Sequence, residues 1–322
     1  MPPLIIASTK PRMGKTSLVA SIAHILGSES SDIKIGVLPS NENAQKDIEN
    51  IKKLLSRKKR CQITQDFFIG SKNRKKSFSD ILKSKGIIEG ADDVKSNMSL
   101  AEDLDGRILL IVNFGDDIIN IAKKYRDRLL GVIVNNVSKH RIWNIENELI
   151  PELNNKKIKF LGWIPDERKF LAPSISDVVN HLDGEYVTEK YNDKNLLDNF
   201  LIGGLVLDWG PTYFSIHEKT GVIVRGDRPD VQLAALHTEK TKAIFLTKGL
   251  KPVEYVFYEA QQSKIPLVVV SGDTHDVAQK LEDLQPKIDF NHKEKLDYMV
   301  KLVKGNVDIS LIINALEKTP TG

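Results

Sequence analysis

Ten residues, Ser8-Thr9-Lys10-Pro11-Arg12-Met13-Gly14-Lys15-Thr16-Ser17, constrain this chain more than any others. An apolar run, residues 3–7, precedes them and reads as a buried strand. An amphipathic stretch, residues 14–26, follows, with Leu18, Ile22, Ile25 and Leu26 on one helical face. A Gly-Lys-Thr triplet at such a strand-to-helix turn aims backbone N–H groups at an anion, with the positive end of the helix dipole behind them. Lys15 would then reach the β- and γ-phosphates of a nucleotide, and the Thr16 hydroxyl would sit on Mg²⁺. The loop therefore predicts ATP and Mg²⁺ as cofactors. One departure stands out: Thr9 occupies the position of the pattern's first glycine.

The strand and helix rhythm continues beyond the loop. Residues 33–38, 87–88, 108–112, 129–134 and 158–161 are short apolar runs separated by helix-compatible segments such as 44–55. Runs of that kind predict α/β architecture, a mostly parallel sheet with helices on both faces. Residues 187–199 turn polar and read as a linker or surface helix. A smaller α/β pattern then resumes, with strands at 200–207, 213–217, 222–224, 243–246 and 267–270, and helices at 230–236, 253–262 and 274–284. The expected division is 1–186, a linker at 187–199, and 200–322 ending in a helical tail.

A phosphate-binding loop needs a carboxylate near its metal. Glu89, at the end of the run Lys85-Gly86-Ile87-Ile88-Glu89-Gly90, is the first candidate, and Asp47 is a weaker second one. Lys15, Lys10 and Glu89 are the residues expected to carry any chemistry. Asn135 and Asn136 follow the run at 129–134, where an amide can meet a base edge or merely close a turn.

Composition removes several classes. The one cysteine, Cys61, leaves no disulfide framework and no cysteine metal cluster. The seven histidines are scattered, and no transition-metal site is expected. No apolar run approaches bilayer length, so no membrane partner is expected and the cytoplasm is the default compartment. The net charge of +4 does not by itself call for nucleic acid. Much of the basic charge lies in Lys52-Lys53, Arg57-Lys58-Lys59-Arg60 and Lys72-Asn73-Arg74-Lys75-Lys76. That segment reads as a solvated surface or as a polyanion patch, and it lacks the interleaved aromatics of single-strand binders.

With these residues in place, resemblances can be named. Lys10, five positions before Lys15, resembles the deviant Walker A motif of partition and septum-positioning ATPases, which implies a homodimer. The loop, the Ile-Ile-Glu-Gly strand, Asn135-Asn136, Leu161-Gly162-Trp163-Ile164-Pro165 and Ala172-Pro173-Ser174 resemble dethiobiotin-synthetase-like P-loop domains. They resemble more closely still the N-terminal domain of long bacterial phosphotransacetylases. The second half resembles the DRTGG domain that follows there. Its blocks are Gly226-Asp227-Arg228-Pro229-Asp230 with Ala234-Ala235-Leu236, then Thr247-Lys248-Gly249-Leu250-Lys251-Pro252, Ile265-Pro266 and Asp273-Thr274. The resemblance implies a small-molecule effector or protein partner at Asp227, Arg228, Thr247, Lys248, Gly249, Asp273 and Thr274. Lys248 stands where that family usually has glycine.

Two departures narrow the function. Val37-Leu38-Pro39-Ser40 lacks the Lys-Pro pair with which dethiobiotin synthetases bind substrate, and the sequence stops where an acetyl-transfer domain would start. The resemblance implies a nucleotide-binding regulator with slow, switch-like hydrolysis. An ATP-dependent ligase that phosphorylates a carboxylate or carbamate is the alternative, and a dimeric partition-like ATPase is the lesser one.

Overall fold

The computed structural model describes residues 2–27, 33–38, 44–56, 61–63, 85–204 and 210–317. The basic runs at 57–60 and 72–76, and Pro39 and Ser40, lie outside these residues. The chain divides into two compact units, residues 1–167 with 290–322, and residues 168–289.

In the first unit seven strands form one sheet: β1 (Leu4–Ala7), β2 (Ile33–Val37), β3 (Cys61–Ile63), β4 (Lys85–Glu89), β5 (Arg107–Asn113), β6 (Leu129–Val137) and β7 (Phe160–Pro165). Their order is β3-β2-β4-β1-β5-β6-β7 and every pairing is parallel. Parallel strands covered on both faces are apolar throughout rather than alternating. β1 and residues Ile108–Val112 of β5 are accordingly buried at each position. The helices α1 (Lys15–Leu26), α2 (Ala44–Leu55), α3 (Val94–Leu104) and α4 (Ile118–Lys123) connect them. One core layer joins Ile5, Ile88, Leu110, Val112 and Val134 to Leu100, Leu104, Ala122 and Tyr125. Because the strands run parallel, the segments leaving β1, β4, β5 and β6 emerge at the same end of the sheet, where α/β folds hold ligands.

The second unit contains α5 (Ile175–His181), β8 (Glu185–Tyr186), β9 (Asn199–Gly203), α6 (Gly210–Phe214), β10 (Thr220–Arg225), α7 (Pro229–Leu236), β11 (Thr241–Thr247), α8 (Glu254–Ser263), β12 (Leu267–Val269) and α9 (Thr274–Leu284). Its sheet runs β8-β12-β11-β10-β9, parallel except for the edge strand β8. One face packs Phe245, Val268, Val277 and Leu281 together, and the other packs Val222, Leu246, Ala234 and Phe214.

Three expectations differ from this packing. Residues 187–199 are not a free linker: Val187 N–H donates to Leu267 O at 2.9 Å, and Leu196 and Leu197 are buried. Residues 213–217 do not form a strand, and 210–214 are helical instead. Gly210 lies so close to Ala234 that an added Cβ would come within 2.7 Å of its methyl, and Phe214 enters the core beside α7. The helical tail, α10 (Lys293–Asn306) and α11 (Ile309–Glu317), belongs to the first unit rather than the second. There α10 packs on α1 and β7, Asp308 N–H donates to Leu161 O at 2.7 Å, and Lys85 pairs with Glu317 at 2.6 Å.

Candidate functional site

The turn between β1 and α1 is shaped by Gly14, which has φ 88 and ψ 20 at the helix N-cap. That left-handed conformation suits glycine, and Asn135 gives a second reason for it. An added Cβ on Gly14 would lie 2.6 Å from the Asn135 side-chain nitrogen. Without a side chain, Gly14 supplies no cap, so the first-turn amides of α1 have no side-chain cap hydrogen bond and remain suited to an anion. The Ser17 hydroxyl turns back onto Gly14 O at 2.8 Å.

Lys15 is buried, 8% exposed, and its ammonium donates to Ser8 Oγ at 2.9 Å and pairs with Asp92. Asp92 lies just past β4, on a segment fixed by Asn97. The Asn97 amide is fully buried and both accepts from Ala91 N–H at 2.8 Å and donates to Ala91 O at 3.0 Å. A carboxylate thus sits at the Lys15 ammonium, where a phosphate group would also seek it.

Thr16 donates its hydroxyl to Glu89 Oε1 at 2.8 Å. Glu89 is 4% exposed, and its Oε2 is buried with no hydrogen-bond partner among the described residues. Burial pushes the Glu89 carboxyl up to about 8, the negative charge of Asp47 adds to this, and Thr16 and Lys15 oppose it. Asp47 therefore lies within electrostatic reach of Glu89. An orphaned carboxylate oxygen beside the Thr16 hydroxyl fits a cation. Among the described residues no three acidic, histidine or cysteine side chains close on one point, so Mg²⁺ held here would take the rest of its shell from water and phosphate oxygens. The residues fit ATP–Mg²⁺ on these grounds.

Within the chain, Lys10 and both asparagines have protein partners. The Lys10 side chain is 62% exposed and donates to Asp116 Oδ1 at 2.7 Å. Partial burial pushes the Asp116 carboxyl up, but Lys10 and the Asn113 amide outweigh it and hold it below its ordinary value. Asn135 is buried and donates to Met13 O at 2.9 Å, so it clamps the loop instead of facing a base. Asn136, with φ 55, is exposed and donates to Asn113 Oδ1 at 3.1 Å. Pro11 and Arg12 are exposed, Met13 is buried, and the Thr9 hydroxyl is buried without a partner among the described residues. Sequence reasoning missed Asp92 and Asp116. Each lies three residues beyond a strand end, in Gly90-Ala91-Asp92-Asp93 and Gly115-Asp116-Asp117, and that position was the available signal.

In the second unit the predicted residues follow the carboxyl ends of β10, β11 and β12. Asp227 and Arg228 do not pair with each other. Asp227 is held by Arg225, with Nε at 2.9 Å, and Arg228 forks onto Asp230 at 2.7–3.2 Å. The side-chain hydrogen bond from Arg225 depresses the Asp227 carboxyl, with Lys248 assisting. Thr247 Oγ1 meets Thr274 Oγ1 at 3.2 Å, and Lys248 N–H donates to Gly272 O at 2.8 Å. Asp273 caps α9, accepting from His275 N–H at 2.8 Å and Asp276 N–H at 2.9 Å. Those helix amides, Asp276 first, lower its pKa, with a further contribution from Lys248. Lys248 is thus the cation common to the β10 and β12 loops, and it and Gly249 have φ 69 and φ 66.

The DRTGG domain model matches residues 177–284, within the second unit, which is therefore a DRTGG domain. The chain is similar to the phosphate acetyltransferase of Synechocystis sp., 25% identical over 257 residues, covering 71% of this chain and 35% of that protein. It is also similar to the phosphate acetyltransferase of Pseudomonas putida, 25% identical over 236 residues, covering 66% and 34%. The chain thus spans about a third of the length of the curated relatives it matches. Among solved structures, the MinD cell division protein of Aquifex aeolicus aligns at 16% identity and TM-score 0.42, over 53% of this chain and 85% of that one. The CBS and DRTGG domains of the regulatory region of Clostridium perfringens pyrophosphatase, complexed with the activator diadenosine tetraphosphate, align at 16% identity and TM-score 0.30, over 47% and 70%.

Proposed function

We propose that this chain is an ATP- and Mg²⁺-binding regulatory protein whose first unit senses nucleotide and whose DRTGG domain takes a small effector or a protein partner. One observation carries the nucleotide reading: Thr16, Glu89, Asp92 and Lys15 are assembled at the uncapped start of α1, with Glu89 Oε2 buried and unmatched. Lys15 would bind phosphate oxygens in place of Asp92, and Thr16 and Glu89 would hold the metal. Bound Mg²⁺ would supply charge neutralisation for the phosphates. Asn135 and Ser17 hold the loop through Met13 O and Gly14 O, and Gly14 leaves room for the Asn135 amide. Slow hydrolysis serving as a switch is part of this proposal.

The effector reading rests on the grouping of Lys248, Asp227, Asp273 and the Thr247–Thr274 pair at one end of the second sheet. Homodimerisation through Lys10 is consistent with its 62% exposure on the loop. Among the described residues no helix is long and apolar enough to cross a membrane, and a cytoplasmic location is part of this proposal.

The test is calorimetric titration of ATP–Mg²⁺ into the wild type and a Lys15→Ala variant, with ADP release followed in parallel. Binding lost in the variant, with little turnover, upholds the regulator. Turnover stimulated by a small carboxylic acid would replace it with an ATP-dependent ligase, and absence of wild-type binding would overturn the nucleotide reading.

A further inference from the structure

A cavity of about 780 Å³ opens in the first unit, far from the phosphate-binding loop along the strands. It is built where β5, β6 and β7 begin, from Arg107, the turn 126–128 and the loop 156–159, whereas the loop follows the end of β1. Among the described residues its lining holds seven cationic and two acidic side chains, an excess of five positive charges in one concavity of a chain whose whole net charge is +4.

Both acids on the lining are near cations of the same wall. Arg128 pairs with Asp105, and Arg107 donates to the Asp127 backbone carbonyl at 2.6 Å. Lys123, Arg126, Lys156, Lys157 and Lys159 remain, exposed and without a side-chain partner among the described residues. Five like charges around one hollow repel each other unless an anion gathers them. Two of these backbones are held in a turn: Lys156 N–H donates to Leu153 O at 3.1 Å, and Lys157 N–H to Asn154 O at 3.0 Å. Arg126 and Lys157 both have left-handed backbones, φ 50 and φ 57, where glycine is the easier residue. Each turn nonetheless carries a long cation toward the cavity.

We propose that this cavity binds a compact polyphosphate, a small molecule carrying two or more linked phosphate groups. The volume suits a small ligand. Guanidinium and ammonium groups together match phosphate oxygens. Among the described residues the lining has no aromatic side chain on which a nucleic-acid base could stack, and a concavity of this volume admits a compact ligand better than a duplex. The site does not depend on whether the β1–α1 loop binds nucleotide.

The experiment is calorimetric titration of inorganic tripolyphosphate into the full chain carrying Lys15→Ala, which suppresses phosphate binding at the loop. The same protein with Arg126→Gly and Lys157→Gly is titrated beside it. Glycine accepts both backbone conformations, so the thermal midpoint holds or rises while affinity falls about tenfold or more. Competition by a nucleoside triphosphate equal to that of tripolyphosphate supports recognition of the phosphates alone. Tighter binding of the nucleoside form supports the site and adds a base to its ligand. Equal tripolyphosphate affinity in the two proteins, equal occupancy by sulfate, or preference for a short RNA duplex would overturn the proposal.

Discussion

Thr16 gives its hydroxyl hydrogen to one oxygen of Glu89, at 2.8 Å, while the other oxygen of that carboxylate faces no protein donor among the described residues. The buried carboxyl titrates near 8 against an ordinary value of 4.5. Folding therefore favours the protonated form. The associated stability is complete below pH 4.5, declines as pH rises through 8 while only the unfolded state has ionised, and is flat above that. In metal-free protein the unfolding midpoint should fall across this window. Glu89→Gln should flatten the profile and abolish any Mg²⁺-induced stabilisation, both read by thermal denaturation at a series of pH values. A profile that Glu89→Gln leaves unaltered would refute the assignment.

Asp92 competes for Lys15 and repels phosphate. Asp92→Asn should raise affinity for metal-free ATP by about tenfold, since an opposing unit charge near the ligand is removed. Calorimetry without Mg²⁺ measures this. Affinity that stays level or drops would mean that Asp92 positions Lys15 for the nucleotide and does not hold it back.

Lys248 holds φ 69 without the freedom of glycine. Lys248→Gly should stabilise the second unit by about 1 kcal/mol through relief of that conformation, seen as a higher denaturant midpoint. If Lys248 serves an anionic effector, the same variant should lose effector binding while gaining stability. Destabilisation would show that its contacts outweigh its backbone.

Asn97 fixes the Ala91 backbone from both sides. Asn97→Ala leaves a buried amide and carbonyl unmatched and should cost about 2–3 kcal/mol. Nucleotide affinity should drop in parallel, because Asp92 follows Ala91 directly. Urea denaturation gives the first quantity and calorimetry the second. An affinity that survives would separate this loop from the site.

The β1–loop–α1 unit was legible because three signals agreed there: an apolar run, a Gly-Lys-Thr turn and a helical stripe. Glu89 was legible for a similar reason, as the last residue of a buried run. The task of Asn135 was not, since an amide at a strand end serves a base or a backbone carbonyl equally well until Met13 O is seen beside it. Asp227 and Arg228 are adjacent in the block, yet each side chain finds its partner two residues away, which adjacency could not show. The segment at 213–217 showed enough apolar character for a strand, but 210–214 is helical and Phe214 packs beside α7, a contact its apolar character does not specify. Which unit α10 would join could not be read from its apolar stripe, because a stripe says that a face is covered and not by what.

Gly162 has φ 140, and a Cβ there would lie 2.1 Å from Asn306 O, so the edge strand β7 is shaped around a segment that lies well over a hundred positions later in the chain. During synthesis the first unit therefore remains unfinished while the whole second unit is made, and is completed only when residues 293–307 arrive. A chain cut after residue 289 would keep every residue of the DRTGG domain but leave one flank of α1 bare.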